Sequence, residues 1–166
     1  DVYKRQDMGS FPHEFVGYRH VSDETVREQF SSVWGVTLRE DPGMRIPNML
    51  DSAVSGDFKG IYIQGEDIAQ SDPNTNHVAE ALRAMECVIV QDLFLNETSQ
   101  FAHVFLPGTS FLEKDGTFTN AERRINRVRP VMTSRTGLSE WEATCALSEA
   151  MGYPMSYAVS YTHLRA

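Results

Sequence analysis

Polar and glycine-containing turns follow three apolar segments of this chain, and their residue types could bind a polar ligand. Gly65, Glu66 and Asp67 come directly after the apolar segment 60–63. Glycine allows close approach to the backbone, and a carboxylate beyond a strand end can accept paired N–H or O–H donors, such as those of a guanine edge or a ribose diol. The alternative is a capping turn in which Asp67 accepts hydrogen bonds only from nearby backbone N–H groups.

The same arrangement recurs after the next two predicted strands. Gln91 and Asp92 follow the segment 87–90, and a Pro-Gly-Thr-Ser turn at 107–110 follows the segment 103–106. Buried parallel strands place these turns along one sheet edge, where open α/β folds bind nucleotide-like ligands. Three converging polar turns favour such a ligand, although neither a GxGxxG nor a Walker motif is present.

The remaining polar residues do not assemble a catalytic set. Glu113, Asp115 and Glu122 could act as paired carboxylates, but their basic neighbours on a predicted hairpin favour solvated ion pairs. His103 begins a predicted strand and is expected to be structural. The other histidines lack partners at metal-ligand spacing, and there is no nucleophile elbow. We therefore expect no catalytic residue and no metal ligand in this chain.

The elements that would position the turns follow from hydrophobic periodicity. Asn74 or Thr75 caps a helix between the first two strands, and Asn96 with Glu97 opens a short helix before the third. This alternation favours parallel pairing with right-handed connections. The predicted fold class is α/β, with a doubly wound, mainly parallel, Rossmann-like sheet that is part of a larger domain.

Elements outside this predicted sheet are also expected. Residues 7–18 are predicted to form a loop, Ser22 to cap a helix, and Pro47 to lie in the first turn of a second helix. Ser139 and Glu142 have the spacing of a capping box at the start of a last helix.

Composition narrows the class of protein. With 166 residues, 41% of them hydrophobic, the chain can bury one core. The net charge of -8 argues against a nucleic-acid partner, and the short arginine run after residue 122 is typical of a hairpin edge or an acidic-partner contact. No apolar run could span a membrane and no signal peptide is recognisable. Cys87 and Cys145 are expected to be core residues in a reducing compartment, which predicts a cytoplasmic protein.

The two ends differ in character from the rest. Residues 1–6 and 159–166 resemble translated sequencing-adapter sequence, and there is no initiator methionine. We expect these ends to be artefactual and only residues 7–158 to carry function.

Several motifs together resemble the molybdopterin oxidoreductase family, and within it the catalytic (alpha) subunits of formate dehydrogenases of the cytoplasmic, NAD-dependent type. These motifs are IQGED at 63–67, VIVQD at 88–92, VFLPG at 104–108, DGTFTN at 115–120 and AMGYPM at 150–155. The resemblance implies a domain that holds one of two pyranopterin guanine dinucleotides chelating molybdenum or tungsten. The turn Gly65-Glu66-Asp67 would belong to this cofactor site.

The resemblance also implies roles for particular residues. Asp67 and Ser71 would contact the guanine-nucleotide part, and Gln91 and Asp92 the ribose or phosphate. Gly108 would bring its backbone close to the phosphates.

Three of the implied positions depart from the family pattern. Glu140 stands where the family usually has a guanine-contacting Asp before Trp141, Gly108 replaces a frequent Ser, and Ser71 replaces a common Thr.

The implied reaction is the oxidation of formate to carbon dioxide, with electrons passing through an iron–sulfur cluster toward NAD and with iron–sulfur and flavin/NAD-binding partner subunits. The metal ligand and the cluster cysteines of the family precede the matching region. The alternatives are another molybdopterin oxidoreductase of the nitrate reductase type, a noncatalytic domain like that of the complex I large subunit, or a nucleotide-binding signalling module.

Overall fold

The computed structural model describes residues 11–120 and 122–155, which form two compact units. One comprises the described residues up to Met49 together with those of Thr119–Arg124, and the other comprises Leu50–Phe118 and the described residues from Ile125 onward. The predicted artefactual ends, 1–6 and 159–166, lie outside the described residues, as do residues 7–10 of the loop predicted over 7–18.

The first unit contains a short hairpin that the sequence did not predict. Strands β1 (Glu14–Phe15) and β2 (Arg19–His20) pair antiparallel, with Glu14 opposite His20. Gly17 and Tyr18 make the turn with φ angles of 79° and 61°. The prediction of a loop through residue 18 was therefore wrong at 14–15, because two-residue strands carry no periodicity to recognise.

Helix α1 (Glu24–Trp34) follows the hairpin. Its cap is Asp23, whose Oδ1 accepts the Val26 N–H at 3.2 Å, so the prediction of Ser22 as the cap was wrong by one residue. Both residue types can cap a helix, and the backbone path decides between them. The ring centroids of Phe30 and Trp34 lie 4.9 Å apart, which gives this unit an aromatic cluster.

The second unit is built on a parallel sheet. Strands β3 (Gly60–Gln64), β4 (Cys87–Asp92) and β5 (Val104–Pro107) pair in parallel, as predicted, and lie in the order β3-β4-β5. His103, just before β5, donates its N–H to the Val88 carbonyl at 2.8 Å and accepts the Val88 N–H on its Nδ1 at 3.0 Å. These bonds give His103 the structural role that the sequence indicated.

Helices connect the strands and cover one face of the sheet: α2 (Ile46–Val54), α3 (Ile68–Ser71), α4 (Thr75–Ala84) and the 3-10 helix Thr98–Phe101. Asn74 caps α4 by accepting the His77 N–H at 3.3 Å, as predicted. Apolar side chains from these helices meet those of β3 and β4 in one buried core: Leu50, Ala53, Ile63, Ile68, Val78, Ala81, Leu82, Met85, Val88 and Val90.

The opposite face of the sheet contacts α5 (Glu140–Ala150). Alternation along β3 turns Tyr62 away from the core, and Thr144 on α5 is near enough to its hydroxyl to influence the pKa of the phenol. The predicted capping box starts α5: the Ser139 N–H and hydroxyl donate to Glu142 at 2.7 and 2.6 Å. Helices thus lie against both faces, which confirms the doubly wound α/β fold.

Two remaining strands, β6 (Gly116–Thr119) and β7 (Ile125–Val128), form the predicted hairpin. Cys145 is half-buried but Cys87 is exposed, so the prediction of a core position for Cys87 was wrong. The cause is alternation, since Val88 and Val90 take the inward positions of β4. Within the part of the chain that is described, no helix has the length and apolar character needed to cross a membrane.

Candidate functional site

The carboxyl ends of the three parallel strands meet at one edge of the sheet. Gln64 pairs with Gln91, and Asp92 pairs with Pro107. One residue further on, the Gly65 N–H donates to the Gln91 carbonyl at 2.8 Å and the Gly108 N–H to the Asp92 carbonyl at 2.8 Å. The backbone hydrogen bonds between the strands therefore continue into the turns and fix the positions of the turns relative to one another.

A cavity of about 460 Å³ opens at this edge. Five of the eight residues predicted to bind the cofactor line it: Gly65, Gln91, Asp92, Gly108 and Glu140. A second cavity of about 380 Å³ shares Gln64, Lys114, Phe118 and Glu140 with the first and extends along α5 to Trp141 and Thr144. The two cavities adjoin, with Lys114 and Glu140 in the wall between them.

Gln91 is almost completely buried beside the first cavity, with only 2% of its surface exposed. Its Oε1 accepts hydrogen bonds from the Tyr62 hydroxyl and, at 2.8 Å, from the Gln64 Nε2. With that oxygen engaged, the amide nitrogen is the group that Gln91 can offer to a ligand. Burial raises the pKa of the Tyr62 phenol, although the neighbouring polar groups of Thr144 and Gln64 act to lower it, so this donor stays protonated.

Asp92 lines the same cavity, but its carboxylate already holds the following loop. Its Oδ1 accepts the Leu93 N–H at 2.6 Å and its Oδ2 accepts the Asn96 Nδ2 at 2.9 Å. These bonds turn the chain after β4 sharply.

Gly108 allows two chain segments to approach closely. A Cβ built at this position would lie 3.2 Å from the Asp92 carbonyl carbon and 3.5 Å from Glu140 Oε1. The next residue, Thr109, donates its N–H to Glu140 Oε1 at 3.0 Å and its hydroxyl to Oε2 at 3.2 Å. The turn after β5 is thereby held against the start of α5.

Glu140 also binds Lys114, whose Nζ lies 2.7 Å from Oε2. Burial acts to raise the pKa of the Glu140 carboxyl, but the hydrogen bonds from Lys114 and Thr109 and the charge of Lys114 together lower it below its ordinary value. The carboxylate is therefore ionised at neutral pH.

The other predicted site residues lie elsewhere. Glu66, Asp67 and Ser71 line neither of these two cavities. Asp67 Oδ1 accepts the N–H and the hydroxyl of Thr98 at 3.0 and 2.6 Å, which ties the turn after β3 to the 3-10 helix. In addition, Thr98 Oγ1 accepts the Ala69 N–H at 3.0 Å, so this bridge also holds the start of α3.

The acidic residues of the hairpin segment have different partners. Asp115 forms an ion pair on the hairpin, as predicted: its Oδ1 lies 2.6 Å from Nη1 of Arg127. Glu113 instead accepts backbone N–H groups of Ser110 at 2.8 Å and Arg135 at 3.2 Å. Those bonds, the Ser110 N–H first, lower the pKa of Glu113. Its role is to hold the loop after β5.

Sequence reasoning missed Lys114 and Tyr62 as site residues, and it placed Thr109 in the third polar turn without recognising its contact with Glu140. Tyr62 carried a usable signal, because it alternates with core residues on a strand that ends at the predicted site. The contacts of Lys114 and Thr109 with Glu140 carried none, since they join positions 26 and 31 residues apart.

These features define a parallel α/β domain with a polar cavity at the carboxyl edge of its sheet. Comparison with known proteins is more specific, because residues 6–150 match the family model described as molybdopterin oxidoreductase. The chain belongs to the molybdopterin oxidoreductase family, which confirms the resemblance seen in its motifs.

Individual relatives agree with this assignment. Formate dehydrogenase H of Escherichia coli is 38% identical over 91% of this chain and 21% of its own length. The F420-dependent formate dehydrogenase 1 subunit alpha of Methanococcus maripaludis is 41% identical over 88% of this chain and 21% of its own length.

A solved structure shares the fold. Acetylene hydratase from Pelobacter acetylenicus superimposes with a TM-score of 0.62 at 18% identity, covering 91% of this chain and 22% of that one. The chain spans about a fifth or less of the length of relatives such as these, with 13% and 22% as examples.

Proposed function

We propose that this chain is the part of a molybdopterin-dependent formate dehydrogenase alpha subunit that holds the guanine dinucleotide end of the cofactor. The observation that carries the proposal is the cavity at the carboxyl edge of the sheet, into which Gln91, Gly108 and Glu140 converge. Family membership and the formate dehydrogenase names of relatives support the choice of cofactor and substrate.

The residues present suit a dinucleotide. The buried Gln91 amide nitrogen can donate to a ribose or phosphate oxygen, and the backbone of Gly108 lines the cavity where phosphates would lie. The Glu140 carboxylate can accept the paired N–H groups of a guanine edge, as the shorter Asp of the family pattern would. Asp92 would shape the loop beside the ribose, and the turn at Gly65 would border the ribose.

Glu66, Asp67 and Ser71 remain predicted contacts of the guanine-nucleotide part. Because they line neither cavity, their contribution has to be tested separately from that of Gln91. For Asp67, the bridge to Thr98 offers a second way to influence binding, through the position of the turn after β3.

In this proposal the chain binds and orients the cofactor and does not break the substrate bond. When bound, the metal–pterin group supplies two-electron oxidation of formate to carbon dioxide. The residues described here hold its nucleotide end and exclude water from that end. The metal is molybdenum or tungsten, and its ligand and the iron–sulfur cluster are held by other segments of the enzyme.

Electrons are proposed to pass through iron–sulfur and flavin/NAD-binding partner subunits to NAD, in a cytoplasmic complex. The Methanococcus maripaludis relative is named as F420-dependent, so the electron acceptor has to be measured. Formate oxidation assayed with NAD, with F420 and with an artificial viologen dye would identify it. Nitrate reduction without formate oxidation would instead place the chain in a nitrate reductase.

The experiment for the binding role is Gln91→Glu in the full-length enzyme. This change keeps an oxygen for Tyr62 and Gln64 but replaces the donor nitrogen by an acceptor, so we expect cofactor content to fall about tenfold. Molybdenum or tungsten and oxidised pterin would be measured per folded protein. Gln100→Glu is the matched control, because Gln100 is exposed and lines neither cavity.

Full cofactor content in folded Gln91→Glu enzyme would remove Gln91 from the site. Loss of cofactor in the Gln100→Glu control would show that any added carboxylate in this unit disturbs loading, and would equally count against the assignment.

A further inference from the structure

The ion pair between Lys114 and Glu140 lies in the wall shared by the two cavities. Its side chains are only 23% and 26% exposed, and the Lys114 Nζ lies 5.9 Å from the centre of the Phe118 ring. The pair is therefore partly shielded from water, and its position lets either partner face a bound ligand.

Lys114 supplies the positive charge of both cavities. Among the described residues that line them it alone is cationic, whereas Asp92, Asp115 and Glu140 are acidic. A phosphate group entering among carboxylates without a cation would be repelled. An anionic ligand in this cavity consequently requires the Lys114 ammonium.

Glu140 is already engaged by protein donors. Its Oε1 accepts the Thr109 N–H, and its Oε2 accepts both the Thr109 hydroxyl and Lys114. An incoming pair of N–H donors therefore competes with Lys114 for Oε2.

We propose that the Lys114–Glu140 pair is a latch that a guanine nucleotide opens: Lys114 leaves Glu140 for a phosphate oxygen, and Glu140 Oε2 then accepts an N–H of the base. This inference rests on the proposed function and adds Lys114 as the phosphate-binding residue. The exchange conserves charge pairing, because each partner replaces one ionic or hydrogen-bonding contact by another. Thr109 keeps Glu140 in place during the exchange.

The test uses full-length enzyme produced without its cofactor, with guanosine diphosphate and guanosine as the probes. Lys114→Met removes the charge but keeps most of the side-chain length. We expect affinity for guanosine diphosphate to fall about ten- to a hundredfold, since a charge-assisted hydrogen bond is lost. Guanosine affinity should stay equal or rise, because Glu140 no longer has to give up Lys114.

Two further variants complete the design. Lys114→Arg keeps the charge and should restore most of the affinity for guanosine diphosphate. Lys59→Met is the matched control, because Lys59 pairs with Glu86 at 2.8 Å on the surface and lines neither cavity. It should change neither affinity, and calorimetry would measure all of them.

An equal loss of affinity for both probes in Lys114→Met would show a merely structural role and overturn the latch. Unchanged affinity for guanosine diphosphate would overturn it as well. Both results leave the proposed function standing as long as the wild-type enzyme binds guanosine diphosphate. If the wild-type enzyme binds neither probe, the nucleotide site itself is wrong and the latch is refuted with it.

Discussion

Replacing Asp67 with alanine is expected to loosen the turn after β3, whatever else Asp67 contacts. The Asp67 carboxylate accepts both donors of Thr98, and Thr98 is fully buried. Its removal leaves a backbone N–H and a hydroxyl buried without an acceptor. Each unsatisfied donor costs about 1 to 3 kcal/mol, and partial relaxation brings the expected total to about 2 to 4 kcal/mol.

This loss of stability is local, and hydrogen exchange of backbone amides in the full-length enzyme can measure it. The Thr98 N–H donates to Asp67, and the Ala69 N–H donates to the Thr98 hydroxyl that Asp67 orients. Both amides should exchange about 30- to 1,000-fold faster in Asp67→Ala, because local opening becomes cheaper by the same free energy. Asp72→Ala is the control, since among the described residues its carboxylate accepts only the exposed N–H of Asn74.

A second variant separates the structural role of Asp67 from a direct contact with the cofactor. Thr98→Val breaks the side-chain half of the bridge but leaves the carboxylate in place. If Asp67 contacts the cofactor, Asp67→Ala should lower molybdenum and pterin content while Thr98→Val retains it. A parallel loss in both variants would assign the effect to the bridge. Unchanged exchange at Ala69 and Thr98 in Asp67→Ala would refute the reasoning from buried donors.

Two other predictions concern the turn after β5 and the helix beside it. Gly108→Ala should destabilise the enzyme by about 1 to 3 kcal/mol and lower its melting temperature, because the new Cβ would lie 3.2 Å from the Asp92 backbone. Gly60→Ala is the control and should have little effect, because its Cβ would make only ordinary van der Waals contacts. An equal shift in both glycine variants would contradict this. Comparing wild type with Glu140→Gln tests the lowered pKa of Glu140. A carboxyl whose pKa is lowered by folding stabilises the folded state at pH values above its ordinary pKa of 4.5. The wild-type enzyme should therefore melt at a higher temperature than the variant near neutral pH, and this difference should disappear as the pH falls through the pKa of Glu140 in the folded state. A constant difference down to about pH 3 would show that ionisation of Glu140 does not matter.

The parallel sheet and its polar edge could be predicted because the information is local. Each strand is an apolar run that ends in a turn, and neighbouring parallel strands bring such ends together. Gln91, Asp92 and Gly108 were therefore recognisable as candidates before their contacts were known.

The pairing of Lys114 with Glu140 could not be predicted in this way. Lys114 lies among acidic and basic neighbours that offer equally good partners in sequence, and only the packing of the loop after β5 against α5 selects Glu140. The role of Asp67 could not be predicted either. A capping turn and a ligand contact both require a carboxylate at this position after β3, so the sequence does not distinguish between them.

The strands of the parallel sheet lie side by side in the order in which they occur in the chain. During synthesis, β3 leaves the ribosome first, and each later strand finds its partner already made. The helix between β3 and β4 can cover the core face before β5 has been translated. The edge at which the cavity opens is complete only once the turn after β5 and then α5 have been made. In the proposed function, the cofactor would therefore bind this edge only after Glu140 has been synthesised.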